Sequence, residues 1–203
     1  MKERPILFSS QMVQAILANR KTQTRRVVKM KEPFPRHDSW PVMELARDGM
    51  PIFWSSQSPQ NICDSDYYEH GMPCPYGQIG DRLWVKEGLC TTRRDGPILY
   101  AADQKTVVVC GKGDNPWIWK RQTQPGMFCP RWASRITQEI TAIRVERLNV
   151  ITQADAQAEG FEHGEIATAR DHFYVLWDKI NGKRHPLKSN PWVWCITFRR
   201  CGP

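Results

Sequence analysis

The chain has 203 residues, 40% of them hydrophobic and nine of them tryptophan, a length and composition that exclude a disordered chain and suffice for one large or two small cores. No apolar run approaches the length of a membrane span, and Met1-Lys2-Glu3-Arg4-Pro5 lacks the apolar core of a signal peptide, so a cytoplasmic protein without membrane contact is expected. The formal charge of +8 at pH 7 calls for an anionic partner, for which RNA, DNA, a nucleotide or an acidic protein all qualify.

The first unit, residues 1 to 30, reads as a short strand around Pro5 to Phe8, a helix from about Ser10 to Arg20, and a basic turn. Val13, Ile16 and Leu17 fall on one helical face, with Ser9 or Ser10 as the N-cap. Val27 and Val28 begin an extended exit. Residues 30 to 75 shift to Pro, Ser, Asp and Gln with scattered aromatics, an irregular insertion with one hairpin near Glu44 to Trp54. The turn-rich run Cys74 to Asp81 then leads into a strand, Arg82 to Glu87. Leu99 to Ala101 follows as a second strand, and Thr106 to Cys110 as another candidate. A second insertion occupies about 103 to 128, with Trp117, Trp119, Lys120 and Arg121 interleaving aromatic and basic groups.

The longest strand candidate runs from Ile136 to Leu148. Its apolar positions change parity between Ile140 and Ile143, which predicts a bulge or bend. Thr152 to Gly160 reads as a short helix capped by Thr152. Arg170 to Ile180 reads as a longer one, with Phe173, Leu176, Trp177 and Ile180 on one face and Asn181-Gly182 as the stop. The last strand, Trp192 to Arg199, alternates with apolar groups on both sides, so both faces are expected to be covered. The order of elements predicts an α+β fold, a mixed barrel with packed helices, in one domain over residues 1–203.

The seven cysteines fit reduced thiols. None forms a Cys-x-x-Cys pair, which leaves a four-cysteine zinc site without support. Cys63, His70 and Cys74 could supply three ligands of a loop site, with Cys90 or Cys129 as a distant fourth. Buried or incidental thiols are the simpler account, and neither a metal nor another cofactor is expected.

The stretch Asn19-Arg20-Lys21-Thr22-Gln23-Thr24-Arg25-Arg26 is the densest run of charges and hydroxyls. Taken alone it reads as a solvated helix end whose cations complement the C-terminal dipole. A second reading gathers its donors around one anionic or polar ligand. Lys21, Thr24 and Arg26 stand at the spacing of the Gly-x-Lys-x-x-Thr-x-Arg signature of ASCH domains, and the chain resembles that family of PUA-like β-barrels. Asn19 replaces the signature's glycine, and asparagine tolerates the left-handed conformation such a turn needs. Gly80-Asp81 before Leu83-Trp84-Val85 resembles the family's Gly-Asp-x-Leu entry to a strand, and Trp194 to Arg199 resembles its closing strand. As a whole the chain is similar to the larger, tryptophan-rich ASCH proteins of phages and prophages.

The resemblance implies an RNA or modified-nucleoside partner, with DNA as an alternative. A small bacterial ASCH protein hydrolyses N4-acetylcytidine through a proposed Lys, Thr and Glu, which would correspond here to Lys21, Thr24 and Glu159. In that chemistry Thr24 attacks or positions water, Lys21 takes a proton, and Glu159 orients Lys21 or protonates the leaving amine. Arg26 would face the oxyanion or a phosphate. Glu87 is a competing carboxylate for Lys21. Tyr76 and Trp84 are available to stack on a base, and Arg135 is a further binding candidate. Binding without catalysis, RNA cleavage and a phage role against host defence stay open beside the hydrolase. In every case Arg20, Thr22 and Arg25 are expected at the surface.

Overall fold

The computed structural model describes residues 1–29, 74–93, 96–108 and 119–201, with the backbone of two short strands at 43–45 and 51–53. The chain opens with strand β1 (Glu3–Leu7) and helix α1 (Ser10–Leu17). The Ser9 side chain caps α1 by accepting from the Met12 amide at 3.4 Å. The helix stops at Leu17, short of the expected Arg20, because Asn19 turns left-handed with φ of 57°. That turn brings the Arg20 amide back onto the Ala15 carbonyl at 2.8 Å, which satisfies a carbonyl the helix would leave free.

The basic stretch is not a turn. It becomes strand β2 (Gln23–Val27). A hairpin of β3 (Met43–Leu45) and β4 (Pro51–Phe53) lies where one was expected. Next come β5 (Arg82–Lys86), β6 (Leu89–Thr91), β7 (Ile98–Tyr100) and β8 (Thr123–Gln124). Strand β9 (Thr137–Arg147), helices α2 (Gln153–Ala158) and α3 (Ala169–Asn181), and strand β10 (Trp192–Cys201) complete the order.

Five strands form one sheet in the order β1-β5-β9-β10-β2, parallel only between β1 and β5. A smaller sheet has the order β7-β6-β8. The fold is therefore α+β. Hydrogen bonding among the described strands leaves β1 and β2 as open edges rather than closing a ring. The Arg26 side chain reaches across, its Nη2 donating to the Leu7 carbonyl at 2.6 Å.

The parity change in β9 is a bulge. Ala142 opposes Thr197 and Ile140 opposes Phe198, so Thr141 is the extra residue. It keeps Ile140 and Ile143 on one face, where they pack with Ile6, Phe8, Leu83, Trp194, Ile196 and Phe198 beneath Val13 and Ile16 of α1. On the opposite face Val193 joins Leu148, Ile151, Ala156, Phe173 and Trp177 under α2 and α3. Strand β10 is thus buried on both sides, and each of its enclosed large apolar side chains contributes about 1.5–3 kcal/mol.

Some expectations fail locally. Ile180 is 58% exposed at the end of α3 rather than on its buried face. Trp192 is only partly buried, lying under the Arg147 guanidinium at 4.3 Å from the ring centroid. Thr106 makes a single bridge to Leu99, while residues 109–110 of that expected strand lie outside the described residues. The second insertion is not wholly irregular, since it supplies β8 and a 3-10 turn at Gly126–Phe128. Of the suggested metal ligands, Cys63 and His70 lie outside the described residues. Among those described, no three His, Cys, Asp or Glu side chains cluster to hold a metal ion. No helix among the described residues is long and apolar enough to cross a membrane.

Candidate functional site

Lys21 enters the site because the left-handed Asn19 swings the chain from α1 toward α2. Lys21 bridges Glu159, the residue that caps the C-terminus of α2, and the Thr22 amide donates to the Ala158 carbonyl at 2.8 Å. Lys21 Nζ then donates to Glu159 Oε2 at 2.6 Å, to the Glu159 carbonyl at 2.9 Å and to the Gln23 carbonyl at 2.8 Å. Both side chains are sealed, at 0% and 2% exposure. Burial pulls the Lys21 pKa below the ordinary lysine value, and the Glu159 carboxylate opposes that pull. Three acceptors around one nitrogen require three protons, so this geometry holds the ammonium form with no donor to spare. The carboxylate that meets Lys21 is Glu159, not Glu87.

Arg25 is the residue that sequence reasoning misplaced. It is 5% exposed, not at the surface. Its Nε and Nη2 donate to Glu146 Oε1 at 2.8 and 2.6 Å, and its Nη1 donates to Gln23 Oε1 at 2.7 Å. Nη1 also lies 3.4 Å from Glu159 Oε1, and Nη2 lies 3.3 Å from Asp155 Oδ2. Arg144 completes the group, donating to Glu146 Oε2 at 2.9 Å and to Asp155 Oδ1 at 2.6 Å. Lys21, Arg25 and Arg144 thus alternate with Glu159, Glu146 and Asp155. Paired charge and bonded oxygens offset the desolvation of so many ions.

Register explains the assembly. Arg25, Cys195 and Arg144 are direct neighbours across β2, β10 and β9, on the face covered by α2 and α3. Burial between the guanidinium-bearing strands pushes the Cys195 thiol up to about 12, which makes it inert. Burial alone would raise the Asp155 carboxyl, but hydrogen bonds from Thr152 and the charges of Arg25 and Arg144 bring it down to about 2. The detectable sequence signal was alternation: once 23–27 is a strand, Gln23, Arg25 and Val27 share a face, as do Arg144 and Glu146.

Thr24 and Arg26 turn the other way, toward the face of Phe8 and Ile196. Thr24 is 2% exposed and makes no side-chain hydrogen bond among the described residues. Arg26 lies over the Phe8 ring at 5.3 Å, as Lys21 Nζ does at 5.4 Å, and the buried Arg26 Nε has no hydrogen-bond partner among the described residues. Burial lowers the Arg26 pKa, while Tyr76 and Glu159 oppose the shift. Tyr76 packs against the same inner core. Lys21 and Glu159 therefore meet each other, whereas the Thr24 hydroxyl is not bonded to either.

Glu87 and Arg135 belong to a different cluster. Arg135 forks onto Glu87 with both bonds at 2.9 Å and onto Asp103 at 2.9 and 3.0 Å, with its guanidinium 3.7 Å from the Tyr100 ring centroid. Burial raises the Glu87 carboxyl despite that fork. These groups occupy each other and have no bond to Lys21. Trp84 is also apart: its neighbours Leu83 and Val85 are fully buried on the inner face, so its ring lies on the outer one, between Lys86 and Arg131.

Comparison with family models, with curated proteins and with solved structures finds no match for this chain. The functional reading accordingly rests on the residues and their geometry.

Proposed function

We propose that the chain binds nucleosides or nucleic acid as a PUA-like ASCH protein, taking a polar base or sugar at Thr24, Arg26 and Tyr76. The observation that carries this is the division of roles along β2. Lys21 and Arg25 spend their donors on carboxylates and carbonyls of the protein, while the Thr24 hydroxyl and Arg26 Nε, which turn away from Arg25, make no hydrogen bond among the described residues. Two unclaimed polar groups beside an aromatic ring suit a ligand that is flat and rich in hydrogen-bonding groups. The ASCH spacing of Lys21, Thr24 and Arg26 supports the same site. On this reading the curved five-stranded sheet is the greater part of a PUA-like barrel, with Arg26 spanning its open edge.

A second reading, hydrolysis of an acylated nucleoside, is favoured by one distance, the 2.6 Å between Lys21 Nζ and Glu159 Oε2. It requires Lys21 to leave an acceptor and reach Thr24. Titration of the tryptophan fluorescence with cytidine and N4-acetylcytidine tests binding, and chromatography of the same mixtures tests turnover. The binding reading expects saturation without release of cytidine, weakened at least about tenfold in Arg26→Ala by loss of a charged donor. Release of cytidine by the wild type but not by Thr24→Val would replace it with the hydrolase. No saturation by either nucleoside would reject the inner-face site.

A further inference from the structure

We propose that the outer face of the sheet around Trp84 is a second surface, a stacking platform for single-stranded nucleic acid. It rests on the nucleic-acid reading but uses residues separate from Thr24 and Arg26. Strand β5 separates the two: Leu83 and Val85 point inward at 0% exposure, so Arg82, Trp84 and Lys86 line the other side.

The outer face carries rings and cations together. Lys86 Nζ and the Arg131 guanidinium lie 5.8 and 5.7 Å from the Trp84 ring centroid. Each cation is anchored but not exhausted. Lys86 donates to the Met127 carbonyl, which uses one of three ammonium protons. Arg131 spends Nε and Nη2 on Glu3 Oε2 at 3.2 and 2.9 Å and keeps Nη1. Of the Phe, Tyr and Trp side chains among the described residues, Phe128 at 51% and Trp132 at 48% are the exposed ones. Trp132 directly follows Arg131 in the chain, and Phe128 directly follows Met127, whose carbonyl Lys86 reaches. The Trp119 ring adjoins Phe128, 4.8 Å between centroids.

A part-exposed Trp84 beside two cations, with exposed rings at Phe128 and Trp132 nearby in the chain, suits a single strand, whose bases stack on aromatics while its phosphates meet the charges. A duplex hides its base faces and would use only the cations. A protein partner is less well matched at Lys86, since lysine is depleted in protein interfaces. The formal charge of +8 adds long-range attraction for a strand of phosphates.

The test is fluorescence anisotropy of labelled oligo-uridine and oligo-thymidine strands, each about ten nucleotides, within the reach of one such platform. The probes also include a duplex of the same length. Wild type is compared with the double variant Phe128→Ala/Trp132→Ala and with Arg26→Ala, each checked for folding by circular dichroism. The double variant is expected to bind the single strands at least about tenfold more weakly, since each stacked base is worth about 1–3 kcal/mol. Its affinities for duplex and for free nucleoside are expected to stay at the wild-type level. Lys86→Gln is expected to reduce the salt slope of strand binding by about one. A preference between the two single strands assigns the ligand as RNA or DNA. Unchanged strand affinity in the double variant, or equal losses for strand and duplex, would overturn the platform. Loss of nucleoside binding in Arg26→Ala with strand binding intact leaves the inner site standing independently. Strand binding that depends on the two rings while no nucleoside binds rejects the inner site and keeps the platform.

Discussion

Arg25 shows how much a single buried ion can organise. Its guanidinium contacts Gln23, Glu146, Asp155 and Glu159, and the Phe173 ring lies 5.9 Å from it. Breaking a buried pair by removing one partner leaves the other charge uncompensated, at a cost of about 3–5 kcal/mol. Arg25→Met is therefore expected to lower the unfolding free energy by that amount, which a urea titration measures. An exposed change such as Arg20→Met, on a side chain 44% exposed, should cost under about 1 kcal/mol. Asp155 adds a pH dependence. Its carboxyl is held at about 2 against an ordinary 3.8, so its contribution is fully present above pH 3.8 and is lost as pH falls toward about 2. Acid titration of stability should show this loss, and Asp155→Asn should remove that part of the slope.

Among the elements, the short helix α2 matters through its two ends. Thr152 and Asp155 form a capping box at its start, with Thr152 Oγ accepting from the Asp155 amide at 3.1 Å. At its exit Glu159 meets Lys21, and Gly160 follows with φ of 95°. A Cβ on Gly160 would lie 2.9 Å from the Ala15 Cβ and 3.1 Å from the Lys21 Cβ. Gly160→Ala is thus expected to destabilise by more than about 1 kcal/mol, from backbone strain and from displacing α1 and Lys21 together. Thermal unfolding of the variant checks it. The same element explains why the sequence reading of Glu159 was harder than that of Lys21. A helix-terminal glutamate has no local signature, and its partner is 138 residues away.

For the whole molecule, charge and topology act on different scales. Lys21, Arg25 and Arg144 are balanced by Glu159, Glu146 and Asp155, so that network adds nothing to the formal charge of +8. If that charge meets phosphates, affinity for any nucleic acid must fall steadily as salt rises from about 50 to about 200 mM. Salt-independent binding would contradict phosphate contact. The sheet separates three groups of side chains. Its inner face holds Thr24 and Arg26, its helix-covered face holds the Arg25 network, Lys21 lies between them with Nζ on Glu159 and 5.4 Å from the Phe8 ring, and the outer side of β5 carries Trp84.

Elements with a local cause were legible in the sequence: the caps at Ser9 and Thr152, the left-handed Asn19, the bulge near Thr141 and the doubly buried β10. Each follows from side-chain type and short-range periodicity, which the chain carries with it in any context. The assignment of Arg25, Glu87 and Trp84 did not follow, because charge type says nothing about which strand lies alongside. Once β10 lay between β2 and β9, Arg25 faced Arg144 across Cys195 and had to share their carboxylates or unbalance the core. Sequence alone determined that Lys21, Thr24 and Arg26 share one short run. Only tertiary pairing decided that Lys21 is held inside by Glu159 and that Arg25 meets the carboxylates under α2 while Thr24 and Arg26 turn to the other face of β2, since a strand sends successive side chains to opposite sides.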